Sequence, residues 1–366
     1  MLESGPTANY FLSVYSPQGY VERFRELYSA EDGWKAYILT GSLGPDVPAL
    51  ISRAGAAMEE SGEKALYIGS CCEPGQLAAV AFPGIRVCLI DASAENVLRV
   101  QLPSLCERIT DLGTCLDAET LVSHRRSILS FSAKYRISSA RAYRFLTAAA
   151  GMLGDTYRLA LECVDMVKLE RYASNISRRL FPSRGGQGTE SVRYLSAITP
   201  DGIVGHLPEE KFSLLYALDD EYGIGKLFLN KLRCAALAAG YDVISCPCPL
   251  FPDGKPEHLI VPSLGLAFIT TRRSHPFNCG EAGHIHIRRF LDSEGIRQRH
   301  PRISFERRAS RELINEAVLL LADARASRRM IESIYAEATD GDIVNQAGNA
   351  LIDDLLKLKE QSHPDV

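Results

Sequence analysis

The sequence lacks long apolar runs, a strong excess of charge of either sign, and a basic-then-apolar segment at its start. Its longest apolar stretches, such as residues 78–82 and 87–90, fall far short of the roughly 20 residues that cross a bilayer. The 41 Lys and Arg residues against 45 Asp and Glu residues give a net charge of −4. This balance is not that of a basic nucleic-acid binder or an acidic tail protein. We therefore expect a cytoplasmic protein with no membrane or nucleic-acid partner.

Several patterns of enzyme and metal chemistry are also missing. There is no G-x-S-x-G motif, which argues against hydrolases that use a nucleophile elbow. The sequence shows no export signal, so we expect its ten cysteines to be free and mostly buried thiols. The adjacent Cys71 and Cys72 lack the Cys-x-x-Cys spacing of redox motifs. The residues that could bind zinc are Cys246, Cys248, His275, Cys279, His284 and His286. Their spacing is not that of a known zinc site, and we predict no metal.

What is present is the composition of a globular protein of about two domains. The chain has 366 residues, of which 46% are hydrophobic and 23% charged. At roughly 100–200 residues per domain, each domain is large enough to bury its own core. A disordered chain is excluded.

An internal repeat divides the chain. Residues 12–21 align with 195–204 at an offset of 183 and share Leu, Ser, Pro, Gly and Val. Further matches join 82–90 to 261–269 and 116–119 to 291–294, at offsets of 179 and 175. The glycine-rich residues 183–188 are typical of a linker. We predict a first domain at 1–182 and a second at 189–366.

Each half has the same predicted order of elements. A short apolar strand runs into a glycine-containing loop and then a helix, after which come a strand, a Cys/Pro loop and another apolar strand. The predicted strands are 36–39, 64–68 and 85–90 in the first half and 214–218, 241–245 and 264–269 in the second, with helices at 48–60 and 228–239. The remainder, about 118–180 and 309–359, should be helical and pack as a hairpin on the core. The fold class is therefore α/β, with two mostly parallel sheets, helices on both faces of each, and a helical extension.

The loop before each first helix contains an incomplete phosphate-binding pattern. A P-loop has G-x-x-x-x-G-K-[ST] between strand and helix, where backbone N–H groups and Lys hold phosphates and the hydroxyl binds Mg²⁺. Residues 220–227 keep Gly225 and Lys226, but Asp220 replaces the first Gly and Leu227 replaces Ser or Thr. Residues 41–48 keep the first Gly and have Val47 in the position of the Lys.

These loops, the Cys/Pro segment 246–253, residues 258–262 and the Pro-x-Gly-x-Val openings resemble an uncharacterised family of tandem P-loop ATPase-like proteins from Firmicutes. The resemblance covers nearly the whole chain, and intact loops in that family imply two P-loop NTPase-like domains and ATP binding. The phosphate-binding positions that it carries over are Gly41, Gly44, Gly223, Gly225 and Lys226.

The lost residues indicate what a second-half site would do. The candidate nucleotide-binding residues are Gly223, Ile224, Gly225, Lys226 and Leu227. Without a hydroxyl at Leu227, Mg²⁺ loses a direct ligand. A carboxylate at position 220 repels phosphate or pairs with Lys226. We expect a degenerate P-loop protein that binds ATP or another phosphate ligand, with weak or no hydrolysis and a regulatory or scaffold role.

Two alternatives stay open. Asp91 ends an apolar strand like a Walker B carboxylate, whereas its second-half counterpart is Thr270. An active ATPase or phosphotransferase would combine Lys226 with Asp91 or another Mg²⁺-binding carboxylate, although an Asp that caps a turn is favoured.

The other alternative is a nucleotide-independent protein-interaction module. Its surface would be the Arg-rich region 272–311, although a solvated helix face with salt bridges is the simpler interpretation. The arginines of this region are Arg272, Arg273, Arg288, Arg289, Arg297, Arg299, Arg302, Arg307, Arg308 and Arg311.

Overall fold

The structure is a computed structural model that describes residues 8–93, 98–208, 212–272 and 277–362. The strands of the first half are β1 (Tyr10–Phe11), β2 (Ser13–Ser16), β3 (Gly19–Glu22), β4 (Lys35–Thr40), β5 (Leu66–Gly69), β6 (Leu77–Phe82), β7 (Val87–Asp91) and β8 (Glu107–Asp111). Six of them form a sheet in the order β1-β5-β6-β7-β4-β8, in which β6 is antiparallel to its neighbours and the other pairs are parallel.

The second half repeats this sheet. Its strands are β9 (Glu190–Val192), β10 (Ser196–Thr199), β11 (Gly202–Gly205), β12 (Leu214–Asp219), β13 (Val243–Cys246), β14 (His258–Val261), β15 (Leu266–Thr271) and β16 (Gly283–His286). The order β16-β12-β15-β14-β13-β9 is that of the first sheet when equivalent strands are matched, and β14 is the antiparallel member. The prediction of two repeated, mostly parallel α/β sheets is confirmed. Strands β2–β3 and β10–β11 form separate hairpins.

The helices are α1 (Asp46–Glu60), α2 (Ala118–Ser123), α3 (Arg125–Leu161), α4 (Met166–Leu180), α5 (Gly225–Ala238), α6 (Ser293–Glu337) and α7 (Gly341–Ser362). In the described ranges, none combines the length and apolar character that a membrane crossing requires. Helix α6 begins sixteen residues before the predicted start at 309. Asp292 caps it by accepting hydrogen bonds from the N–H groups of Glu294 and Gly295, and the helix continues through Pro301. The Asp292 cap marks the start of α6, and Pro301 lies in the third turn without ending the helix.

The two faces of each sheet pack differently. In β4, Tyr37 and Leu39 contact the cluster that contains α1 and α7, whereas Ala36 and Ile38 point to the opposite face. This alternation follows from the two-residue period of a strand. The opposite faces of both sheets contribute to one shared hydrophobic cluster, which also holds residues of β13, β14 and β15. Helices therefore cover one face of each sheet, rather than both faces as predicted.

The last helix of each half packs against the other half. Leu169 and Ile176 of α4 lie in the second-half core beside α5, and Leu351 and Leu355 of α7 lie in the first-half core beside α1. The long helices α3 and α6 run antiparallel and contact each other extensively. The predicted hairpin on each core is thus replaced by an exchange of helices between halves. The boundary at 182–189 separates the two repeats in the sequence, whereas α4 and α7 each pack on the core of the opposite half.

Contacts between equivalent residues show an approximate twofold relation between the halves. Phe11 and Tyr194 align at the offset of 183, and each donates its N–H to the other's carbonyl, at 2.8 and 2.9 Å. Two further bridges, Leu116 to Thr339 and Val164 to Leu291, are equivalent at the offset of 175. Only a twofold axis brings identical positions of two copies into mutual contact in this way. The axis passes between Phe11 and Tyr194.

Candidate functional site

The second loop lies between β12 and α5, and its main-chain N–H groups contact a side chain of the same loop. Asp220 is 2% exposed. Its Oδ1 accepts hydrogen bonds from the N–H groups of Tyr222 at 3.0 Å, Gly223 at 3.0 Å and Ile224 at 3.2 Å. Its Oδ2 accepts from Gly225 at 2.7 Å. One carboxylate therefore satisfies four consecutive backbone donors.

This arrangement follows from the physics of a helix start. The first N–H groups of a helix have no partner within it, and the helix dipole gives them a positive potential. In a phosphate-binding loop the ligand's oxygens accept these hydrogen bonds. Ile224, which precedes α5, supplies no side-chain cap, and Asp220 fills this role. We predicted that Asp220 repels phosphate or pairs with Lys226, whereas its carboxylate accepts hydrogen bonds from four N–H groups of its own loop. An Asp five positions before the glycine that starts a helix is the signal that could have revealed it.

Two glycines allow this geometry. Gly223 has φ of +77°, a conformation that favours glycine. A Cβ on Gly225 would lie 2.9 Å from Asp220 Oδ2, too close for contact. Both retained glycines are thus needed for the loop to close around Asp220.

Lys226 points to aromatic rings. Its Nζ lies 3.5 Å from the ring centroid of Tyr157 and 5.6 Å from that of Phe251. Burial lowers the pKa of Lys226, although Cys248 and Asp220 act in the opposite direction. A cation over an aromatic face is stabilised by the ring quadrupole. Tyr157 belongs to α3 of the first half, so no sequence pattern within the second half predicts its contact with Lys226.

The charges around the loop are compensated within the protein. Arg272 donates from Nε to the main-chain carbonyl of Asp220 at 3.3 Å and forms an ion pair with Glu257. Glu221 forms an ion pair with Arg307 of α6. The pKa of Arg272 is raised overall. Burial is the largest single influence and acts to lower it, but the negative charge of Glu257 and of neighbouring groups outweighs burial. These contacts fix the loop from outside.

Leu227 stands where a P-loop has the hydroxyl that binds Mg²⁺. Leu227 packs against the second-half core and carries no oxygen. Burial raises the pKa of the nearby Cys248 thiol to about 12, so it is a neutral thiol.

The first loop is shaped by packing. Val47, the counterpart of Lys226, is fully buried in the first-half core. Gly41 has φ of +88°, and a Cβ there would lie 2.2 Å from both Asp111 Oδ1 and the Gly113 nitrogen. Gly44 lies near Glu332 of α6, and its counterpart Gly223 lies near Tyr157 of α3. Each loop therefore lies against the long helix of the other half.

Asp91 and Lys226 have different surroundings. The Asp91 carboxylate accepts hydrogen bonds from the Ser93 N–H at 2.8 Å and the Ser93 hydroxyl at 2.5 Å. Burial raises its pKa, and Arg328 and Glu332 of α6 are its charged neighbours. The neighbours of Asp91 are thus Ser93, Arg328 and Glu332, whereas Lys226 contacts the rings of Tyr157 and Phe251. The Ser93 hydrogen bonds are those of a turn after a strand.

Most arginines of region 272–311 are engaged within the protein. Arg299 pairs with Glu162 of α3 at 2.7 Å, and Arg302 pairs with Asp155 of α3 at 2.6 Å. Arg289 lies 4.5 Å from the centroid of the Tyr172 ring. Arg272, Arg297 and Arg307 also pair with carboxylates, and Arg273 lies outside the described residues. Arg299, Arg302 and Arg307 thereby join α6 to α3 and to the second loop.

The Cys and His residues are dispersed. Cys246 is buried in the shared cluster, while His284 and His286 lie beside Asp219 at the edge of the second sheet. His275 lies outside the described residues. Within the described ranges, no group of three or more Cys, His, Asp or Glu is placed to hold a metal ion.

Comparison with protein-family models, curated proteins and solved structures found no match to this chain.

Proposed function

We propose that this protein is a degenerate, non-hydrolytic P-loop-like protein with a scaffold or regulatory role. The observation that supports this proposal is the Asp220 carboxylate, which accepts from the four N–H groups that a phosphate would need. ATP or another phosphate ligand then binds through Gly223–Leu227 only when Asp220 leaves. Because the bonds to a buried carboxylate are charge-assisted, this exchange opposes binding.

The chain offers a direct test through restoration of the P-loop pattern. Asp220→Gly together with Leu227→Thr recreates G-x-x-x-x-G-K-T, which frees the four donors and adds a hydroxyl for Mg²⁺. Calorimetric titration with ATP, with and without Mg²⁺, should give little or no heat for the wild type. The double variant should bind ATP, and Lys226→Ala added to it should remove that binding.

Two controls make the result specific. Lys231→Ala changes a half-exposed lysine of the same helix, which pairs with Glu170 at 2.8 Å, and it should leave nucleotide binding unchanged. A melting curve of each variant with pyrophosphate separates lost binding from lost folding, because a bound ligand raises the melting temperature.

Strong ATP binding by the wild type would refute self-occupation of the loop. Phosphate release by the wild type that Lys226→Ala abolishes would instead support the ATPase or phosphotransferase alternative. No binding by the folded double variant would mean that the second half is not a nucleotide site in either form.

A further inference from the structure

The solvent face of α2 and α3 exposes large aliphatic side chains. Val122, Leu129 and Ile137 are 67%, 61% and 61% exposed. Leu129 and Ile137 lie eight residues apart on α3, about 12 Å at 1.5 Å per residue, and Val122, in the last turn of α2, lines one groove with Leu129. Single exposed apolar residues are ordinary, but three grouped on one surface are a surface feature.

The same face is strongly basic. Residues 125–154 contain no acidic residue and six basic ones, all exposed: Arg125, Arg126, Lys134, Arg136, Arg141 and Arg144. None of the six forms an ion pair with any residue that the structure describes. Together with Val122, Leu129 and Ile137 they make up what we term the α3 face. A cluster of cations without local compensation attracts negative charge.

The internal repeat provides a comparison. At the offset of 175, the three apolar residues of the α3 face correspond to Arg297, Ser304 and Glu312 on α6. Both helices belong to the same antiparallel pair and have equivalent places in the fold. Since α6 folds with polar side chains there, the fold does not require apolar ones on α3. Another contact accounts for them better.

We propose that the α3 face is a docking surface for an acidic amphipathic helix of another protein. Apolar side chains about two helical turns apart match the apolar face of a partner helix. Flanking arginines match carboxylates, which they bind with two parallel hydrogen bonds. This inference goes beyond the proposed function and does not depend on the Asp220 loop.

Three observations favour a helix over a nucleic acid or a lipid surface. A groove of about 210 Å³ is of a size to take a side chain of a partner, and its lining residues are Leu121, Val122, Arg125, Ile128 and Leu129. The most exposed apolar residues are aliphatic, whereas bases stack on aromatic side chains and membrane interfaces favour Trp and Tyr. The cations are mostly arginine, the residue that best recognises carboxylates.

The test is a selection from a phage-displayed library of random peptides on the full-length protein. Enriched peptides should carry an excess of Asp and Glu and apolar residues spaced as on one helix face. The double variant Leu129→Ser with Ile137→Glu introduces the residues that α6 carries, and it should not enrich these peptides. Enrichment of peptides without acidic excess, or equal enrichment on the double variant, would overturn the proposal.

Affinity measurements then separate the apolar and charged contributions. By fluorescence anisotropy, a selected peptide should bind the double variant at least about tenfold more weakly than the wild type. Arg126→Gln with Arg141→Gln should weaken binding most at low salt and reduce its salt dependence. The control Leu319→Ser removes a 61% exposed leucine from α6 and should change nothing.

Two further probes decide the class of partner. Vesicles with anionic phosphatidylserine and a double-stranded DNA oligonucleotide are titrated against the same proteins, whose folding is checked by circular dichroism. Both should bind more weakly than the selected peptide. Tighter binding of either one, lost in the double variant, would reassign the α3 face and refute the helix proposal.

Discussion

The hydrogen bonds of Asp220 predict a specific cost for the smallest change at that position. Asp220→Asn keeps the shape of the side chain but replaces one acceptor oxygen with an NH₂ group. If the amide oxygen stays with Tyr222, Gly223 and Ile224, the NH₂ faces the N–H of Gly225, where the wild-type distance is 2.7 Å. The opposite orientation loses three bonds instead of one.

The magnitude follows from these bonds. Loss of one hydrogen bond to a charged group costs about 1.5–3 kcal/mol, and a buried donor without a partner costs about 1–3 kcal/mol. These two costs partly describe the same loss and are not simply added, so we expect the free energy of unfolding to fall by about 3 kcal/mol. That is a change of roughly 100-fold in the folding equilibrium.

Urea denaturation measures this change through far-UV circular dichroism and the fluorescence of Trp34, the only tryptophan, which packs against the shared cluster. The control is Asp219→Asn, one residue earlier, where the side chain is 41% exposed and contacts His286. It should cost less than about 1 kcal/mol. A cost for Asp220→Asn within about 0.5 kcal/mol of zero would refute the argument that the carboxylate holds the loop.

Three further predictions concern the rest of the fold. Gly41→Ala should lower the unfolding free energy by about 2–4 kcal/mol, because Gly41 has a positive φ and an added Cβ would collide with Asp111. The control Gly33→Ala, at φ of +74° with open space around it, should lower it by only about 1 kcal/mol. Equal costs for the two variants in urea denaturation would contradict this reasoning. Leu355→Ala should cost about 2–5 kcal/mol if α7 completes the first-half core, and a near-zero cost would place α7 elsewhere. Because burial raises the pKa of Asp91, the stability linked to that carboxyl is fully present below about pH 4 and is lost as pH rises through the raised pKa. Asp91→Asn should therefore gain stability relative to the wild type as pH rises above about 4 in thermal melts, and a constant difference would disprove the linkage.

The sequence predicted the elements that depend on local pattern. Residues 36–39 and 214–218 are continuous apolar runs, and they lie in the interior strands β4 and β12; residues 36–39 are buried, whereas in β12 only Ala217 and Leu218 are buried. The helix predicted at 48–60 corresponds to α1. Its local pattern was also sufficient, because α1 carries a regular apolar face and ends near Gly62. The internal repeat also predicted that both sheets would have the same order.

Long-range features were not predictable in this way. The apolar face of α7 has the same sequence pattern whether Leu355 packs on the first or the second half, so the exchange of helices leaves no local signal. Tyr157 is distant from Lys226 in the chain, and only the antiparallel pairing of α3 with α6 brings a first-half ring to the second loop. The role of Asp220 depends on the direction of its carboxylate. Its spacing from Gly225 suggests a capping role, but only the hydrogen bonds to the N–H groups of residues 222–225 establish it.

The approximate twofold axis between Phe11 and Tyr194 gives the chain the geometry of a homodimer joined into one polypeptide. In a true homodimer every substitution occurs in both subunits, so the two loops would always be identical. Here the helix residues that cover the two loops are counterparts at the offset of 175, yet one is Tyr157 and the other is Glu332. A single chain with this geometry can carry different chemistry in its two equivalent loops, and here a lysine lies under an aromatic ring in one loop and a buried valine occupies the other.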